Sequence, residues 1–257
     1  MASKLYPDAQ LEALRGFPAQ IAADDLARYF TLLPADTSFI NAHRGDGNRI
    51  GVAVALCTLA WLGFVPDDLR AAPAAAVSRV AAALGVPKTA LARYAARSQT
   101  RTEHLREVAA FLGWRTTTEV DAKELDQFLL ARAMEHDAPS VLFELACEHL
   151  RGAQLIRPGP VWLVQRVAAA REAAKAQTFV RLEHLLTPQL IADLDGLLNI
   201  DDELGSTRLS WLGNGATQPS PGAIKTEIAK LAYLRRIGAD ELDLSALPTQ
   251  RSRFLAE

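Results

Sequence analysis

Sixteen consecutive residues, Ile50 to Val65, read IGVAVALCTLAWLGFV without one charged side chain. Arg49 precedes the run, and Pro66, Asp67 and Asp68 follow it. An α-helix needs ~20 apolar residues to span a bilayer, so this stretch predicts a helix buried inside protein. A helix that is apolar all round has no face for water. Any fold built from this chain must therefore surround the run with other elements.

The remaining sequence offers helices for that purpose. The 257 residues are 49% hydrophobic and 23% charged, enough to build a sizeable core and to argue against wholesale disorder. Alanine and leucine dominate, while β-branched clusters are scarce; RTTTEV at 115–120 is nearly the only one. Proline, glycine and capping residues divide the chain at Pro34, VPDD, Pro73, GVPK, Gly113, Gly152, RPGP, Thr187–Pro188 and Ser220–Pro221. Asp121 followed by Glu124 resembles a capping-box start. The punctuation predicts an all-α fold, a bundle of about ten to twelve helices, in two regions: 1–157 and 158–257. Cys57 and Cys147, each in an apolar helical pattern, suggest a reducing compartment. MASKLYPDAQ has no apolar signal core. The expected location is cytoplasmic, with no membrane partner.

The most specific local pattern is VAAALGVPKTALARYAARS at 80–98. A helix-turn-helix needs a small residue in its first helix, Gly at the turn four residues later, and an apolar residue six further on. Ala81, Gly85 and Leu91 occupy those places, with Val80, Leu84, Val86 and Tyr94 available to close the pair. The reading predicts a helix-turn-helix-like unit around 73–98, its second helix running from Pro87 to about Ser98. That helix would expose Lys88, Thr89, Arg93, Arg97 and Ser98, donors that reach phosphates and purine edges. From Arg70 to Arg106 there are seven Lys or Arg against Glu103 alone, inside a chain of net charge −2. Such a local stripe is the electrostatic footprint of nucleic acid. The competing reading is a helical hairpin with a solvated arginine face.

Immediately before the apolar run stands RGDGNR, 44–49. It lacks the spacing of a Walker loop and of G-x-G-x-x-G, and an RGD tripeptide has no integrin to meet inside a cell. Gly45 and Gly47 permit sharp backbone angles, and Asp46 or Asn48 can cap the following helix. Arg44 and Arg49 then stand beside a helix N-terminus, which favours anions. Two roles stay open for them: gripping DNA phosphate, or pairing with Asp46. Enzyme signatures are poor. DDE at 201–203 is a run of adjacent acids, CEH at 147–149 does not place its Cys and His on one helix face, and the five histidines are scattered.

Four stretches occur in order: DDLARYFTLLPAD, HRGDGNRIGVAVALCTLAWLGFVPDD, ARYAARSQTRTEHLREVAAFLGW and GSTRLSWL with PSPGAI. Together they closely resemble the N-terminal portion of the Tn-three-family (class II, replicative) transposases, over essentially the whole chain. The resemblance implies a helical region that binds double-stranded DNA at the terminal inverted repeats of a transposon. It also implies that the acidic metal-binding triad belongs to an RNase H-like domain beyond LPTQRSRFLAE. No catalytic residue, no cofactor and no small-molecule substrate are therefore expected here, a divalent metal being expected only for that catalytic domain. The family's arginine–glycine–aspartate–asparagine–arginine motif falls on Arg44, Gly45, Asp46, Asn48 and Arg49. Its threonine–arginine–histidine motif falls on Thr100, Arg101 and His104. Gly47 stands where relatives often carry a bulkier polar residue. The expected DNA-binding set is Arg44, Asn48, Arg49, Lys88, Thr89, Arg93, Arg97, Arg101 and His104. The alternative is a dimerisation or interaction scaffold with little DNA contact of its own, and a homodimer is compatible with either.

Overall fold

The computed structural model describes residues 6–94, 98–215, 218–239 and 242–256. Its described elements are overwhelmingly helical: α1 Asp8–Ala13, α2 Ala23–Tyr29, α3 Pro34–Asn41, α4 Asp46–Leu62, α5 Ala74–Leu84, α6 Ser98–Leu112, α7 Glu119–Glu135 and α8 Pro139–Gly152. Then follow α9 Pro160–Glu183, α10 Pro188–Gly196, α11 Arg208–Gly213, α12 Pro221–Arg236 and α13 Thr249–Ala256. Two-residue strands form minimal pairs. Arg115–Thr116 (β1) lies parallel to Leu155–Ile156 (β2), and Ile200–Asp201 (β3) antiparallel to Ser206–Thr207 (β4). The all-α expectation holds, and the single β-branched cluster supplies β1. Among the described residues no helix is long and apolar enough to cross a membrane.

The chain divides into two compact units, Met1–Glu172 and Ala173–Glu257, the division falling inside α9. The first is built around α4. Every residue from Ile50 to Leu59 is buried, on all sides of the helix. Elements α2, α3, α5, α6 and a 3-10 segment at Lys88–Arg93 pack against it. Phe30, Ile40, Val77, Val80, Leu84, Leu91, Val108 and Trp114 complete the core. Each large aliphatic side chain buried this way contributes roughly 1.5–3 kcal/mol. The helix stops at Gly63, whose φ of 77° is left-handed and costs glycine nothing. Burial pushes the Cys57 thiol up to about 12, so it packs as a small apolar group. Cys147 is only partly buried.

Local chemistry explains several helix ends. Gly85, at φ 64°, turns the chain after α5. Thr187 and Ser220 accept hydrogen bonds from the Leu190 and Ala223 amides, capping α10 and α12. The start of α7 differs from the expected Asp121–Glu124 box. The helix begins at Glu119, and the box is Thr118 with Asp121. Asp121 is claimed by the Thr118 amide and hydroxyl at 2.8 and 2.6 Å and by both ends of the Arg115 guanidinium at 2.6 and 2.7 Å. These donors hold its carboxyl far below the usual range, the Arg115 guanidinium most of all.

The expected helix from Pro87 to Ser98 is not continuous. Lys88–Arg93 is a 3-10 segment, and Tyr94 is extended at φ −65°, ψ 136°. The cause is tertiary: the Tyr94 ring lies on Gly51 of α4, where a Cβ would come within 2.0 Å of it. A regular helix does not continue through a residue held there in extended backbone.

In the second unit Leu190, Leu197, Ile237 and Leu247 are buried together with two cations, Lys230 and Arg251. Lys230 donates to the Asn214 carbonyl and to Glu227, at 2.9 Å for the latter. Ile224, Ile228 and Leu231, on one stripe of α12, are each about 60% exposed.

Candidate nucleic-acid interface

The RGDGNR turn joins α3 to α4. Gly45, not Asp46 or Asn48, is the residue before α4, and no side chain caps the helix there. Its φ of 85° is a glycine conformation. The Gly45 carbonyl accepts from the amides of Asn48 and Arg49 at 3.1 and 3.0 Å. Asp46 and Asn48 sit inside the first turn instead, where the Asn48 amide donates to the Arg44 carbonyl at 3.0 Å.

The two arginines of the turn have opposite fates. Arg49 is partly buried, and its Nε and Nη2 both donate to the Asn41 Oδ1, at 3.0 and 2.5 Å. Its Nη1 lies 3.7 Å from the Asp46 carboxylate. Arg44 is exposed, and none of the described hydrogen bonds or ion pairs uses its side chain.

The 3-10 segment Lys88–Arg93 meets this turn directly. A Cβ on Gly47 would lie 3.2 Å from the Ala90 carbonyl and 3.3–3.4 Å from the backbone and Cβ of Arg93. Glycine thus lets the 3-10 segment press against the first turn of α4. A bulkier residue at 47, as expected of relatives, needs that segment to give by a few tenths of an ångström. This contact sets Arg93 against the turn whose first residue is Arg44. Lys88, Thr89 and Arg93 are exposed, and Lys88 and Thr89 border a groove of about 340 Å³ with Arg70, Val77 and Leu91. Arg70 itself is held by Asp68 at 2.7 Å. Arg106 is exposed as well, and Arg79 donates to the Thr31 hydroxyl at 2.8 Å. Arg97 lies outside the described residues.

Two further expected residues point inward. Arg101 donates to the Pro66 carbonyl at 3.1 Å and pairs with Asp67 at 3.4 Å, tying α6 to the end of the apolar run. His104 is 9% exposed, stacked on Tyr94 at 5.8 Å and set edge-on to His43 at 4.9 Å. Burial, then the neighbouring His43, pushes its pKa down. His43 bridges the Phe39 carbonyl at 3.2 Å and Glu107 at 2.9 Å. These rings wedge α3, α6 and Tyr94 together behind the basic edge. Sequence reasoning missed Asn41, eight residues before its partner and unmarked by any motif. The signal that could have found it is an amide at the end of a helix, opposite an arginine across a glycine turn.

Among the described residues no three His, Cys, Asp or Glu side chains come together as metal ligands. Asp201 of the DDE run is instead an anchor for Arg208 at 2.5 Å and for the amides of Glu203 and Leu204.

Comparison with known proteins places this architecture. Residues 5–170, nearly the whole first unit, match the family described as a domain of unknown function, DUF4158. The transposase for transposon Tn1546 of Enterococcus faecium is 27% identical over 240 residues, 92% of this chain and 24% of its own length. The transposase for transposon gamma-delta of Escherichia coli is 30% identical over 90% of the chain and 23% of its own length. The transposase for transposon Tn21 of Escherichia coli is 31% identical over 87% of the chain. The chain spans about a quarter of the length of these relatives. It belongs to the DUF4158 family and is similar to part of the Tn-three-family transposases.

Proposed function

We propose that the first unit binds double-stranded DNA at the terminal inverted repeats of its transposon, as a non-catalytic part of a replicative transposase. The observation that carries this is the contact of Gly47 with Arg93, which joins two cationic segments into one edge. Arg44, Lys88 and Arg93 bring exposed charge on those two segments, without a described acidic partner. Thr89 adds a hydroxyl donor. Phosphate contacts supply affinity and register, and a subset of side chains reads base edges. The 3-10 geometry of Lys88–Arg93 makes it a short reading element, so backbone contacts dominate here. Arg49, Arg101 and His104 serve from behind the edge, as its framework.

Fluorescence anisotropy with the element's terminal-repeat duplex and a scrambled duplex tests this. Preference for the repeat, with a log–log salt slope of about −5 for some six phosphate contacts, is expected. Equal, salt-insensitive binding to both duplexes would contradict it.

A second reading, self-association with little DNA contact, is favoured by the exposed stripe Ile224, Ile228 and Leu231. It requires a dimer in sedimentation at low concentration together with no shift of DNA.

A further inference from the structure

The turn of RGDGNR passes through Gly45 at φ 85°, a conformation that glycine adopts without cost. What fixes the turn is a latch outside the motif. Both Nε and Nη2 of Arg49 close on one oxygen, the Asn41 Oδ1, at 3.0 and 2.5 Å, while Asp46 holds Nη1 from the other side at 3.7 Å. Asn41 ends α3 and Arg49 lies in the first turn of α4, so the fork staples the two helices across the turn. Asn48 then ties the Arg44 carbonyl at 3.0 Å. The backbone that carries Arg44 is fixed on both sides, and its guanidinium is left exposed.

We propose that Asn41 and Arg49 are positioning residues that orient Arg44 toward a DNA phosphate, Arg49 being a strut rather than a contact. The inference rests on the DNA-binding reading and assigns roles within it. An orienting strut has a distinctive consequence. Removing an uncharged side chain, Asn41, must change an electrostatic quantity. A planar fork is also not replaced by an ammonium, which makes point contacts only.

The experiment measures affinity for a fluorescein-labelled duplex of the element's terminal repeat across a salt series, using the whole chain and its variants Arg44→Ala, Asn41→Ala, Arg49→Ala and Arg49→Lys. Melting curves accompany each variant. Asn41 is exposed, and only variants that melt as the unaltered chain does are compared. Arg44→Ala and Asn41→Ala are each expected to weaken binding about tenfold and to flatten the salt slope by about 0.9, one phosphate contact. Combining them should cost no more than Arg44→Ala alone. Arg49→Lys should behave like Arg49→Ala despite keeping its charge. If Asn41→Ala leaves the slope and affinity unchanged, the latch is overturned; if Arg49→Lys restores both, Arg49 touches phosphate itself and the latch is overturned too. If the unaltered chain fails to bind the duplex, the DNA reading falls and takes the latch with it.

Discussion

The two units of the chain hold themselves together by different means. The first surrounds the uncharged stretch of α4 with apolar side chains, and its buried Asp121 is met by Arg115 and Thr118. The second buries Leu190, Leu197, Ile237 and Leu247 beside Lys230 and Arg251, and leaves Phe179, Ile200, Ile224, Ile228 and Leu231 more than half exposed. Apolar area left in water forfeits about 25 cal/mol per Å², and a buried cation is retained only through its partners. The difference teaches where fixed geometry is available. A close-packed interior holds side chains in set positions, so the first unit can present cations at defined places.

The comparison can be broken most severely at Ile50, which is fully buried at the start of the apolar run. Ile50→Ala should destabilise the first unit by about 2–5 kcal/mol, measured by urea unfolding. A loss below about 1 kcal/mol would mean that α4 is not its centre. Next comes Gly51→Ala, whose methyl meets the Tyr94 ring. Overpacking of this kind costs about 1–3 kcal/mol. Tyr94→Ala in the same chain should relieve part of that cost, whereas strict additivity would place the ring elsewhere.

Acid should act on the first unit through His104. Its folded pKa lies below the unfolded value near 6.5, so the unfolded chain binds the proton more readily. The stabilisation is complete above that unfolded value and is lost as pH falls through the folded one. Melting temperature should therefore drop on acidification from pH 7 to 5. His104→Gln should flatten that drop, and an unchanged profile would remove His104 from it. Asp121, held low by Arg115, has the same sign but keeps its contribution until stronger acid. The smallest effect is expected in the second unit. Leu231→Ser, on the exposed stripe, should change stability by about 0.5 kcal/mol or less. A larger loss would show that this stripe is packed in solution.

The readable parts of the sequence were those decided locally. The burial of α4 follows from sixteen uncharged residues, and the turns at Gly85, Thr187 and Ser220 follow from residues that cap or permit left-handed backbone. What resisted reading was decided across the fold. Tyr94 interrupts the segment after Lys88 because a glycine in another helix receives its ring. The start of α7 moved to Glu119 because Thr118 and Arg115 both reach for Asp121. At the candidate interface the cationic residue types were legible, but their division was not. Whether an arginine faces water or an amide oxygen depends on Asn41, which no spacing rule couples to Arg49.

On the proposed reading, Arg44 and Arg93 face DNA together. The most direct test is the salt dependence of duplex binding by the chain and by its Arg44→Ala/Arg93→Ala double variant, both checked for unchanged melting. Loss of two phosphate contacts should reduce the log–log slope by about 1.8, with weaker binding to the terminal repeat and the scrambled duplex alike. An unchanged slope and affinity in the double variant would contradict it.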